Sequence, residues 1–397
     1  MSAPSQILNP PTQVAPTEIY LDYAATAPLH PRAAQAVLDG HQLVGNPSSR
    51  HGAGRDAADA LAVARKTVAR LLGTDAEEEV VLTSGGSEAN TLALWGTFAA
   101  MGFRGHLVTS SIEHPAVLAN AHALRDLGVQ VTLVDPAPSG HIGSADVARA
   151  LRPDTTLVSV MHANNETGAI QPVWEIADIA RQSGVAFHTD AVHTAGKLDL
   201  TVVGATMMSV SAHKFGGPRG MGALLVRSGH RLLPVTRGGP QENRLRAGTE
   251  NVPGALGMAA AADVCVRTVE TGYRLGMRKR REQLIDGLRA VGGVHLNVTE
   301  PVLEETVSVR FDGVRADTLA DHLDMHGIYV STGSACHAGE DTVSHVLRAM
   351  RLTEDQARGT VRFSLGPGVS PADVDTVVAV TVQAVHRLRA TAGGMIR

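Results

Sequence analysis

Between residues 79 and 226, short apolar runs alternate with longer segments of helical spacing. The runs at 80–83, 106–110, 129–134, 156–161, 185–189, 207–211 and 222–226 read as strands, and helix-like segments of roughly ten residues or more lie between most of them. This alternation predicts a mainly parallel, seven-stranded α/β sheet sandwiched by helices. Before it, a Gly/Ser/Asn loop at 45–57 runs into a helix that continues to about Leu72. After it come a long polar loop at 236–254, a helix over 255–269, and a long charged helix from about Tyr273. A second region follows, with strands at 306–311, 329–331 and 360–364 and helices beginning near Ala316, Val343 and Pro371. The pattern divides the chain into a loose, Pro-rich tail (1–18), a large domain (19–270) and a smaller α+β domain (271–397).

In a parallel sheet of this kind, ligands sit beyond the carboxyl ends of the strands, and the chemically informative residues fall there. Lys214 follows the strand at 207–211 and precedes a Gly/Pro turn. A lysine held there away from bulk water is less basic, as imine chemistry requires. Asp190 ends the run VAFHTDAVH. A strand-end lysine and a strand-end aspartate in one α/β domain point to pyridoxal phosphate, with Lys214 as the Schiff-base amine and Asp190 on the pyridinium nitrogen. The glycines after Lys214 do not form a dinucleotide fingerprint, because a strand and not a helix follows them.

Other strand ends add candidates. TSGGSEAN puts Gly86 and Ser87 at a helix start, which is either a phosphate cradle or an ordinary helix start. Ser211 and His213 could donate to the same anion. His114 follows the next strand, and Asn164, Asn165 and Glu166 the one after, where three polar residues in a row also suit a simple turn. Cys265 lies among alanines and valines, as core cysteines do, whereas Cys336 sits in a polar loop between Gly333 and Gly339, the setting of a reactive thiol.

Composition narrows the function classes. The 397 residues carry a net charge of -4 and no Lys/Arg run, which argues against direct nucleic-acid binding. No apolar stretch approaches the ~20 residues of a membrane span, and the N-terminus lacks the features of a signal peptide. Two cysteines exclude a disulfide framework and fit a reducing cytoplasm. Neither CxxC nor paired-His spacing accompanies Cys336, so no metal site is expected.

With these residues in place, the chain resembles the cysteine desulfurases of the NifS/IscS kind, in the class V aminotransferase group of pyridoxal-phosphate enzymes of fold type I. The segments that carry the resemblance include YLDYAAT, GNPSSRH, TSGGSEANTLA, EHPAVL, HANNETG, HTDAVHTAGK, SAHKFGGPRGMGAL, RAGTEN, STGSACHAG and VRFSLG, from about Tyr20 to the last helix. The resemblance implies a homodimer acting on L-cysteine and passing its sulfur to an acceptor protein. That acceptor could serve iron–sulfur cluster assembly, tRNA thiolation, DNA modification or a dedicated pathway. It implies that Lys214 forms the Schiff base, Asp190 holds the ring nitrogen, and His114 stacks on the ring and moves protons. Gly86, Ser87, Ser211 and His213 would hold the phosphate, joined by Thr249 from the other subunit. Asn165 would lie near the ring hydroxyl and substrate, Arg362 would fork the substrate carboxylate, and Cys336 would accept the sulfur. Selenocysteine lyase is the alternative on the same scaffold.

Three positions depart from the family pattern. Pro240 and Val343 stand in place of a usual glycine and a usual proline. His193 stands where a glutamine usually bonds the ring hydroxyl. An imidazole there should be neutral near pH 7 and donate one N–H as the amide would. It should also add a pH dependence near the ~6.5 of free histidine.

Overall fold

The computed structural model describes residues 18–269, 273–332 and 343–394. In chain order the described elements are β1 (Ile19–Tyr20), α1 (Pro31–Gly40), α2 (Gly52–Leu71), β2 (Val80–Thr83), α3 (Gly86–Ala100), β3 (His106–Ser110), α4 (Pro115–Asp126), β4 (Gln130–Val134), α5 (Ser144–Ala150), β5 (Thr155–Ser159), α6 (Val173–Gln182), β6 (Ala186–Asp190), β7 (Met207–Ser211) and β8 (Gly222–Val226). There follow α7 (Val252–Val269), α8 (Tyr273–Arg289), β9 (Val294–Leu296), β10 (Thr306–Phe311), α9 (Ala316–Asp324), β11 (Ile328–Tyr329), β12 (Ser331–Thr332), α10 (His345–Ala349), α11 (Glu354–Arg358), β13 (Thr360–Ser364) and α12 (Pro371–Gly394).

The predicted seven-stranded sheet forms, in the order β2-β8-β7-β6-β5-β3-β4. Its pairings are parallel except at β8, which runs against both β2 and β7. Helices cover both faces, and the period-2 alternation of the strands supplies both. In β2, Val80 and Leu82 enter one apolar core and Val81 the other. In β8, Ala223 and Leu225 face the first and Leu224 the second. A fully buried Val or Leu contributes roughly 1.5–3 kcal/mol, so apolar burial on the two faces is the main support of the sheet.

A third core lies under a four-stranded sheet, β12-β13-β10-β9, backed by α8, α9 and α12. The segment expected as one strand at 329–331 instead passes between sheets. Tyr329 pairs in parallel with Tyr20, while Ser331 pairs with Arg362. Two residues per sheet are too few to show a period, so sequence pattern merges them. Leu21, just past the tail, is buried in this third core. The helix expected near Val343 starts at His345, because the Ser344 side chain caps it by accepting from Leu347 N–H. No single described helix is long and apolar enough to cross a membrane.

Two features draw the carboxyl ends of the strands together. Gly222 opens β8 opposite both Thr83 and Ser211. A Cβ there would lie 2.7 Å from Gly85 Cα and from the Val210 carbonyl oxygen, so only glycine lets the turn before α3 pack against β7. The polar loop at 236–254 is pinned by Glu242. Its carboxylate accepts from Arg65 at 2.5 and 2.8 Å and from the Leu82 N–H at 2.8 Å. This grip holds three consecutive left-handed residues, Glu242, Asn243 and Arg244. Farther along the loop, Arg246 pairs at 3.0 Å with Glu88 in the first turn of α3.

Glu242→Ala removes the anion that compensates Arg65 and the strained loop. We expect a loss of ~3 kcal/mol in chemical denaturation of the cofactor-free protein. Arg65→Met combined with Glu242→Leu should cost less than Glu242→Ala alone, because no charge is then left unpaired. Equal losses would show that the ion pair does not anchor the loop.

Candidate active site

Beyond the strand ends lies a cavity of about 410 Å³. Its lining brings together Gly86, Ser87, His114, Asn165, Asp190, His193, Ser211, His213, Lys214 and Arg362, so nearly all the predicted site residues share one space. Lys214 follows β7, and its Nζ donates to the carbonyls of Ala24 and Ala25 at 2.6 and 2.8 Å.

Asp190, the last residue of β6, is held on both oxygens. Oδ1 accepts from Val192 N–H at 2.9 Å and Oδ2 from Asn90 Nδ2 at 2.6 Å. Asn90 is a functional neighbour that sequence reading missed. On a helix, a lone asparagine carries no signal of its partner 100 residues away.

His114 is the N-cap of α4. Its Nδ1 accepts the Ala116 N–H at 3.0 Å, which places the proton of the neutral ring on Nε2. Burial is the main influence lowering its pKa; Lys214 lowers it further, against the opposing pull of Asp190. His213 is bonded to Thr26 Oγ1 at 3.2 Å, and burial, reinforced by Lys214 and Arg219, takes its pKa down to about 4.

The three polar residues after β5 separate into different roles. Asn164 is the turn-former. Its Oδ1 accepts from the N–H groups of Glu166 and Thr167, and its Nδ2 donates to the Ile112 carbonyl. Asn165 lines the cavity and its carbonyl accepts from Arg362 Nη1 at 2.7 Å. Glu166 is buried away from that lining, accepts from Ser344 Oγ, and is pushed up to about 7 by burial. Glu113, also buried, accepts from Ser110 Oγ at 2.5 Å and is pushed up to about 8, again by burial. Sequence reading had not singled it out.

Arg362, from the middle of β13, also donates from Nη2 to Asp22 Oδ1 at 2.7 Å. Two of its five N–H groups are thus engaged, and Nε has no protein acceptor among the described residues. The guanidinium is aimed and still has donors to give. Asp22 was not foreseen as its partner, because the two lie at opposite ends of the chain.

His193 is buried on the cavity wall. Burial, then Lys214, Lys197, Arg362 and His114, hold its pKa well below the ordinary histidine range. A neutral ring at pH 7 fits the expectation; titration near 6.5 does not, because the desolvated ring is surrounded by cations. Thr249 does not line the cavity of its own chain and is exposed. Cys336 lies outside the described residues. The described chain on either side of its segment nevertheless meets the site: Ser331 lines the cavity, Ser344 bonds Glu166, and His345 Nε2 is 3.0 Å from the Glu113 carbonyl. Cys265 is confined in apolar packing, which raises its pKa to about 12 and makes it a poor nucleophile.

The donor set fits pyridoxal phosphate. A glycine-opened helix N-terminus with Ser87, Ser211 and His213 suits a phosphate, a fixed carboxylate suits a protonated ring nitrogen, and Lys214 reaches the same space. No cluster of three or more potential metal ligands occurs among the described residues.

Comparison with known proteins agrees with this geometry. The sequence profile of class-V aminotransferases matches residues 19–377. The protein named cysteine desulfurase IscS of Dictyoglomus turgidum is 38% identical over 377 residues, covering 94% of this chain and 95% of its own. A solved NifS-like protein superposes with a TM-score of 0.87 at 33% identity, covering 93% of this chain and 99% of its own. A structure described as SspA in complex with cysteine gives 0.78 at 35% identity, covering 88% of this chain and 99% of its own. From Ile19 to the last helix, the chain belongs to the class-V aminotransferase family of pyridoxal-phosphate-dependent enzymes.

Proposed function

We propose that this protein is a cysteine desulfurase, converting L-cysteine to L-alanine and leaving the sulfur as a persulfide on Cys336. The observation that carries the reading is the convergence of Lys214, Asp190, His114 and Arg362 on one cavity, with Ser331, before the Cys336 segment, lining it and Ser344, after that segment, bonded to the residue next to Asn165. The relatives' names support cysteine as substrate and do not favour selenocysteine.

The balance is simple. The enzyme thiol and cysteine become an enzyme persulfide and alanine; the carbon–sulfur bond of the substrate breaks and a sulfur–sulfur bond forms, without an external oxidant. Pyridoxal phosphate supplies an electron sink for a carbanion at the substrate Cα. In this scheme Asp190 keeps the ring nitrogen protonated, and Asn90 and Val192 keep Asp190 aimed. Arg362 forks the substrate carboxylate with the donors that Asp22 and Asn165 leave over. Lys214 Nζ carries the proton to and from the substrate carbon. Gly86, Ser87, Ser211 and His213 hold the phosphate. His114 presents a neutral ring toward the cofactor with its proton on Nε2. Cys336 attacks as the thiolate, a few per cent of an unperturbed thiol at neutral pH, so the site must raise that fraction.

Exposed Thr249 is assigned to the phosphate site of a second copy, which makes the working unit a C2 homodimer. The large domain (19–270) would then carry the cofactor, and the small domain (271–397) the sulfur-accepting loop. The final acceptor of the persulfide is a partner protein that reads the surface around that loop.

Lys214→Ala should abolish turnover and the Schiff-base absorbance, and borohydride should fix the cofactor to Lys214 in the wild type. Fixation to another lysine, read by peptide mapping, would overturn the assignment.

Cys336→Ala should bind the cofactor with near wild-type affinity but release alanine from cysteine at less than roughly a hundredth of the wild-type rate, because only the attacking thiolate is lost. Radiolabelled sulfur should stay on the wild type until a reductant is added. Label retained by Cys336→Ala would point to Cys265 instead.

Sedimentation should find a dimer, with an interface above ~2,000 Å². Thr249→Ala should weaken cofactor binding. A monomer with full cofactor occupancy would refute the shared phosphate site.

A further inference from the structure

A second cavity, of about 250 Å³, lies behind the first, and Lys214 borders both. Phe215, Val264, Leu365 and Pro367 give it apolar walls, yet Lys197 and Glu305 also line it. Burial pushes the Lys197 ammonium down and the Glu305 carboxyl up, each toward its neutral form, while their mutual attraction opposes both. A lysine and a glutamate in such a place therefore require an explanation. They make no direct ion pair within 4 Å, and Glu305 Oε1 has no hydrogen-bond partner among the described residues. The one acceptor for Lys197 Nζ among the described residues is the main-chain carbonyl of His193, at 2.9 Å.

That carbonyl belongs to the turn that carries the site. After Asp190, Thr194 and Ala195 N–H groups donate to the Ala191 carbonyl, and Lys197 N–H donates to Thr194. Thr194 Oγ1 is fastened to His162 Nδ1 at 3.0 Å. His193 itself projects its ring into the cofactor cavity, where it bonds no described residue. The grip of Lys197 on the carbonyl is therefore the side-chain restraint on His193, applied from the opposite cavity.

We propose that Lys197 is a positioning residue for the cofactor site. Its ammonium clamps the His193 carbonyl, and Glu305 supplies the countercharge that lets the ammonium remain there. This rests on the reading of the first cavity as the cofactor site. The clamp has an electrostatic consequence as well. The charged or titratable groups that face His193 are Lys214 after β7, Arg362 on β13 with its partner Asp22, His114 at the start of α4, His213, Asp190 at the end of β6, and Lys197 on its own turn. Lys197 is one of the cations that keep the imidazole neutral. Its removal should both loosen the ring and let it accept a proton at higher pH.

The test compares Lys197→Met, Lys197→Gln and Lys197→Arg, each alone and in a His193→Ala background. In the cofactor-free protein, histidine-selective NMR should show His193 of Lys197→Met titrating roughly one pH unit above wild type. Lys197→Gln, which keeps a donor for the carbonyl, should shift the titration similarly while preserving cofactor affinity better. Lys197→Arg should stay near wild type. The Kd for pyridoxal phosphate should rise about tenfold in Lys197→Met, and less than about threefold in the His193→Ala background, where no side chain is left to be positioned. Glu305→Gln should move both readouts in the same direction. An unchanged His193 titration, with the same loss of affinity in both backgrounds, would reduce Lys197 to a packing residue and overturn the proposal. Should Lys197→Met fail to fold, Lys197→Gln carries the same comparison. A wild type that binds no pyridoxal phosphate would defeat the functional reading, while the NMR titration would still decide the clamp.

Discussion

A carboxylate fixed at the end of a buried strand is the constraint around which this site is arranged. Asp190 cannot swing, because one oxygen is bonded to the backbone two residues on and the other to Asn90 on α3. α3 also supplies the Gly86–Ser87 N-terminus, so one helix both steadies the proposed ring-nitrogen partner and opens the proposed phosphate cradle. Around that anion, three imidazoles (His114, His193 and His213) are all held toward the neutral form, chiefly by burial. The positive charge of the cavity is left to Lys214 and Arg362. Neutral rings donate and accept hydrogen bonds without adding charge, and the Arg362 guanidinium, which stays charged, keeps donors free for an anion.

What the sequence made legible follows from this. Residues at strand ends were readable, since the period-2 runs locate the ends and the parallel topology gathers them. Lys214, Asp190, His114 and Asn165 were all found that way. Asn90, Asp22, Lys197 and Glu242 were not, because each acts through a partner brought close only by the tertiary fold. Asn164 and Asn165 show the limit at single-residue scale. Both are asparagines in one turn; which one bonds the backbone and which faces the cavity depends on the Ile112 carbonyl lying within reach of the first. The strand expected at 329–331 failed for a related reason, as the register of two-residue strands is set by their partners.

The two buried carboxylates beneath the rim, Glu113 and Glu166, extend the same logic to the small domain. Each precedes or follows a cavity residue, His114 or Asn165, and each is held largely by neutral donors. Raised well above the ordinary carboxylate range by burial, they accept hydrogen bonds without adding full negative charge beside the cofactor site. Ser344 and His345, just after the Cys336 segment, bond to these same two residues. The described chain that follows the Cys336 segment is thus fastened to the positions next to His114 and Asn165.

The last link is the short segment after the tail, YLDYAAT. Leu21 is buried in the small-domain core, and Asp22 bridges to Ser364 on β13 while holding Arg362. Two residues on, the carbonyls of Ala24 and Ala25 receive Lys214 Nζ, and Thr26 meets His213. Tyr20 stiffens the passage by donating from its hydroxyl to the carbonyls of Asp22 and Thr26. Five residues therefore join Arg362 on β13 to the His213–Lys214 turn after β7. On the roles proposed for Arg362 and Lys214, a substrate that meets both would have to be short enough to span that interval. A small α-amino acid would meet this requirement, because its carboxylate and amine sit on one carbon, and the segment from Asp22 to Thr26 is what links the two cores on either side of such a site.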